Sequence, residues 1–62
     1  MNRPNNYIIE FYQLGGSVKV SAIDPASGHE VSIVGAATES RAKLSRVAVQ
    51  KLEYMLTKAD KR

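Results

Sequence analysis

Polar and apolar positions divide the chain into three short runs and one long one. Residues 7–14, Tyr-Ile-Ile-Glu-Phe-Tyr-Gln-Leu, are β-branched and aromatic with partial alternation, which predicts a strand. Gly15-Gly16 follows, and two residues free to take positive φ suit a tight type I′ hairpin. Ser17 to Ile23 alternates cleanly at period two. Asp24-Pro25-Ala26-Ser27-Gly28 reads as a second turn, in which Pro presets φ and Asp can bond the backbone ahead of it. Glu30 to Val34 is a third alternating run.

The two turns can be checked against each other. With Gly15-Gly16 as the loop, Leu14 opposes Ser17, so Phe11 opposes Val20 and Ile9 opposes Ala22. With residues 25–28 as the second loop, Asp24 opposes His29, so Ala22 opposes Val31 and Val20 opposes Ile33. Both hairpins therefore place the same face of the second strand, Val18, Val20 and Ala22, against apolar neighbours. A one-residue slip in either would break the agreement.

From about Glu39 to Ala59 the period changes to that of a helix. Thr38 is the expected N-cap, and Glu39 with Lys43 makes a correctly oriented i,i+4 pair near the positive helix end. Leu44, Ala48, Leu52, Met55 and Ala59 fall within an arc of about 80°, with Val47 and Leu56 at its margins. Arg46, Gln50, Glu53 and Thr57 lie opposite. The expected fold class is α+β: a three-stranded antiparallel meander packed on one face by a long C-terminal helix, β-β-β-α. Such a helix is about 31 Å long against about 23 Å for the strands. Its last turns, with Lys58, Lys61 and Arg62, are expected to overhang the sheet and fray.

Composition narrows what this fold can do. At 62 residues, the chain is one small domain, with residues 1–6 as a flexible polar tail and 7–62 as the folded unit. A domain of this size has roughly 3–5 kcal/mol of net core stability. There is no Cys, so neither a disulfide framework nor a thiolate metal site is available, and one His leaves zinc short of ligands. No stretch approaches the ~20 apolar residues of a bilayer span, and residues 1–6 lack the apolar segment of a signal peptide. The expectation is a soluble cytoplasmic protein with no cofactor, no metal and no membrane partner. The net charge of +3 is unevenly placed: residues 1–38 carry −1 and residues 39–62 carry +4.

Catalytic chemistry has no starting point in this pattern, because acid–base work needs ionisable groups converging in a pocket. Glu10 is on the outer sheet face, Asp24 and Glu30 lie near one turn, and Glu39, Glu53 and Asp60 are spread along the helix. No enzyme is expected. His29 follows a turn glycine and reads as a solvated turn residue opposite Asp24. Gly15-Gly16 joins strand to strand, whereas phosphate loops lead from a strand into a helix. Gly35-Ala36-Ala37-Thr38 does enter the helix, yet Glu39 already occupies the field at that end, so capping outweighs anion binding.

Two surfaces remain as candidates. Strand parity turns Ile8, Glu10, Tyr12 and Leu14 outward, with Ser17, Lys19, Ser21 and Ile23, then Glu30, Ser32 and Val34. The fold leaves that semi-apolar face uncovered. Ile8, Tyr12, Ile23 and Val34 are therefore the expected contact residues for another protein or for a second copy of the chain. The alternative is nucleic acid on the basic helix flank, where Lys43, Lys51, Lys58 and Lys61 line up with Tyr54 among them.

The run Ile23 to Gly35, Ile-Asp-Pro-Ala-Ser-Gly-His-Glu-Val-Ser-Ile-Val-Gly, followed by Ala-Thr-Glu-Ser-Arg and later Leu-Glu-Tyr-Met-Leu, resembles a family of short bacterial proteins of unknown function over nearly the whole chain. Its motifs are turn and capping residues, so the resemblance implies a fold and carries no functional residue. In fold alone, three strands and a helix resemble the plant-type DNA-binding domain that reads the major groove with its sheet. That sheet is rich in Arg and Trp, while the outer face here has one Lys and no Trp.

Overall fold

A computed structural model describes residues 6–60. The N-terminal tail expected at residues 1–6, and Lys61 with Arg62, lie outside the described residues except for Asn6. The elements are β1 (Ile8–Leu14), β2 (Ser17–Ile23), β3 (Glu30–Ala36) and α1 (Arg41–Asp60). The strands form one antiparallel sheet in the order β1-β2-β3, followed by the helix, so the architecture is β-β-β-α.

The registers match the sequence reading residue for residue. Ile9 pairs with Ala22 and Phe11 with Val20, while Val20 pairs with Ile33 and Ala22 with Val31. On the helix side Val18, Val20, Ala22 and Val31 are buried against Leu44, Ala48 and Leu52. Met55, placed in the apolar arc by periodicity, is 39% exposed, while Leu56, placed at its margin, packs against the core. The packed stripe runs Leu44, Ala48, Leu52, Leu56 in steps of four, which leaves Met55 to one side.

Three local details differ from expectation. Gly15 has φ +60° and Gly16 has no positive φ, so the first hairpin is of the II′ type, which requires positive φ only at its first central residue. β3 extends beyond Val34 to Ala36, held by pairing to Ser17 and by the Ala37 N–H donating to the Gly16 carbonyl at 2.9 Å. The helix begins at Arg41 rather than Glu39, and its N-cap is Ser40 instead of Thr38: Ser40 Oγ accepts from the Lys43 N–H at 3.0 Å. The extended strand moves the start of the helix two residues on. Glu39 still reaches Lys43 at 3.8 Å.

Gly35 belongs to β3 and not to a loop. A Cβ there would sit 2.5 Å from Leu44 Cδ2, so the missing side chain is the space that lets α1 approach the sheet.

Candidate functional site

The outer face is built by the parity that builds the core. Its rows run across the sheet: Ile8–Ile23–Glu30, Glu10–Ser21–Ser32, Tyr12–Lys19–Val34 and Leu14–Ser17–Ala36. The four predicted contact residues fall on this face in two groups. Ile8 packs beside Ile23 at one end, and Tyr12 and Val34 flank Lys19 toward the other. Tyr12 is 62% exposed and Val34 71%. Leu14, assigned to this face by parity but left out of the contact set, is equally open at 63%.

A polar row separates the two groups. Ser21 and Ser32 share a hydroxyl hydrogen bond at 3.1 Å, and Ser21 is only 7% exposed although it lies on the outer side. A shallow depression bordered by Glu10, Tyr12, Lys19, Ser21 and Glu30 lies above this row. The face is thus two apolar ends around a small polar centre.

The basic flank is also where periodicity places it, but its cations are engaged locally. Lys43 faces Glu39, Lys58 Nζ lies 5.6 Å from the centre of the Tyr54 ring, and Lys51 Nζ donates to the Ser32 carbonyl at 3.0 Å. Lys61, the fourth lysine of the predicted stripe, is outside the described residues.

At the second turn Asp24, Ser27 and His29 come together in a hydrogen-bonded row. Ser27 Oγ donates to Asp24 Oδ2 at 2.9 Å, and His29 Nδ1 lies 2.9 Å from the same Oγ. In a nucleophilic triad the imidazole stands between hydroxyl and carboxylate and takes the hydroxyl proton. Here the hydroxyl stands in the middle and donates its hydrogen bond to the carboxylate, so the imidazole is not placed to take the hydroxyl proton. The Gly28 N–H donating to the Asp24 carbonyl at 2.7 Å and the Ala26 N–H donating to Asp24 Oδ1 complete a turn network.

On the β1 side, Tyr7 OH donates to Glu53 Oε2 at 3.5 Å. Partial burial, followed by the nearby carboxylates of Glu53 and Asp24, raises the Tyr7 phenol above its ordinary pKa. The Arg41 guanidinium lies over the Phe11 ring, 4.7 Å from its centre. Among the described residues no group of three or more His, Asp or Glu is arranged to hold a metal ion, and no helix is long and apolar enough to cross a membrane.

A family profile described as a domain of unknown function (DUF6898) matches residues 4–59. The chain therefore belongs to that family. No curated protein and no solved structure matches it.

Proposed function

We propose that this chain is a small non-enzymatic module that works by contact with another protein, through the outer face of its sheet. The observation that carries this reading is the one-sided cover: α1 packs over β2 and β3 from the inner side, and Ile8, Tyr12, Leu14 and Val34 are exposed together on the other. Isolated exposed apolar residues are ordinary, but a grouped set on one sheet face suits a partner's apolar surface. Lys19, Glu10 and the serine pair between the apolar ends would set orientation more than affinity.

A photo-crosslinking residue at Tyr12, used in native lysate with and without nuclease, tests this. The reading requires a discrete protein adduct that survives nuclease and disappears in Val34→Lys and Ile23→Lys variants with unchanged circular dichroism. Adducts that vanish with nuclease and with Lys51→Glu/Lys58→Glu would transfer the assignment to nucleic acid. Adducts indifferent to the face variants would end it.

A further inference from the structure

The two edges of the sheet are not equivalent. The His29 carbonyl accepts from the Asp24 N–H and the Ala37 N–H donates to the Gly16 carbonyl, on the side of β2. By alternation Glu30, Ser32, Val34 and Ala36 therefore turn their backbone groups to the free edge of β3. There Lys51 covers the Ser32 carbonyl, a lysine guard of the kind that blocks strand addition. By the same alternation Ile9, Phe11 and Gln13 turn their N–H and C=O groups to the free edge of β1. That edge is regular over all seven residues, without a bulge, and among the described residues no segment lies along it. Its inner face is also half-open, since Tyr7, Ile9 and Phe11 are only partly buried.

We propose that β1 pairs antiparallel with β1 of a second copy, with the two-fold axis at Phe11, to give a six-stranded sheet. Edge parity allows only registers in which odd residues face odd residues. Centring on Phe11 pairs the full strand: Phe11 with Phe11, Ile9 with Gln13, Ile8 with Leu14 and Glu10 with Tyr12 of the second copy. The exposed Ile8 and Leu14 cover one another, and the two rings meet on the half-open inner face. The neighbouring register, centred on Glu10, sets two carboxylates directly opposite in a close pair, which is destabilising. The one centred on Tyr12 pairs only residues 10–14. Charge and strand length therefore select one register. The edge uses the outward backbone groups of Ile9, Phe11 and Gln13, while Ile8, Tyr12 and Leu14 border both the edge and the outer face, so Val34, on the far strand, separates the two assignments.

The chain has no Cys, so introduced thiols report the register cleanly. Glu10 and Tyr12 turn their backbone groups toward β2, so across the new edge they form a non-hydrogen-bonded pair, with Cα atoms about 4.5 Å apart and within disulfide range. Mixed and mildly oxidised, Glu10→Cys and Tyr12→Cys chains should cross-link to each other in preference to themselves. Predominant Glu10→Cys or Tyr12→Cys self-dimers would overturn the register. In sedimentation, Gln13→Pro removes one N–H per copy at a position where the monomer does not use it. It should raise the dimer dissociation constant roughly thirtyfold at unchanged helicity, whereas Val34→Lys should leave the constant unaltered. A wild-type chain that stays monomeric up to millimolar concentration would overturn the proposal. So would a dimer lost in Val34→Lys but kept in Gln13→Pro.

Discussion

β1 and β3 are edge strands of equal length on either side of the same central strand, yet their surroundings differ. Val31 and Ile9 both flank Ala22; Val31 is buried under α1, and Ile9 is only partly covered. A helix with its side chains is about 10–12 Å wide, and three strands with their flanks span about 14 Å or more. One helix therefore cannot cover all three strands equally. Here it lies over β2 and β3, where Gly35 makes room for Leu44 and Lys51 reaches the strand edge. On the β1 side, Ile9 and Phe11 pack only partly against the core, and the polar contacts that reach the helix are Tyr7–Glu53 and Arg41 over Phe11. A fold this small leaves a flank unfinished by geometry, and the glycine decides which one.

The largest effect should come from the layer common to both halves. Val20→Asp and Leu52→Asp each bury an unpaired carboxylate at a fully buried position, at a cost of several kcal/mol against roughly 3–5 available. Circular dichroism should show both variants unfolded at 25 °C; a native-like melt for either would place the helix over a different row.

A smaller loss tests why the helix favours the β3 side. Gly35→Ala forces a methyl into Leu44 and should cost about 1–3 kcal/mol. Combined with Leu44→Ala, the two losses should be clearly less than additive in a denaturant cycle. Strict additivity would mean that Gly35 does not set the helix position.

The smallest effects compare the two tethers. Lys51→Ala should cost under about 1 kcal/mol in urea melts, as expected of an exposed charged contact, while opening the β3 edge to concentration-dependent association that light scattering detects. On the β1 side the neutral Tyr7 phenol is favoured in the fold. Its contribution is whole below the ordinary pKa of 10.0 and is lost as pH rises through the higher folded value. The wild type should therefore lose more stability than Tyr7→Phe between neutral pH and pH above 10; parallel losses would show that the tether is not formed.

Much of this architecture is legible in local sequence. Alternation at period two, a Gly-Gly loop and an Asp-Pro loop determine strand register, because a slip would expose every core side chain at once. Helical periodicity likewise places Leu44, Ala48 and Leu52 in the core, and the outer positions of Ile8, Tyr12, Ile23 and Val34 follow from parity. The N-cap was less legible: Thr38 and Ser40 are both good caps, and the choice depended on how far β3 continued against β2, which is a long-range pairing.

What only the tertiary structure decided is lateral. Periodicity states which side of a strand or helix faces inward, but it contains nothing about where a helix axis lies across a sheet. That position follows from close approach, here Leu44 over Gly35, and from reach, here Lys51 across to Ser32. The same limit applies to the outer face, where the division by the Ser21–Ser32 pair depends on strands brought side by side. The inequality of the two sheet edges depends on both. The sequence determines the faces because alternation is a property of the chain; the structure determines the edges because an edge exists only after the strands have been ordered and the helix has been set down.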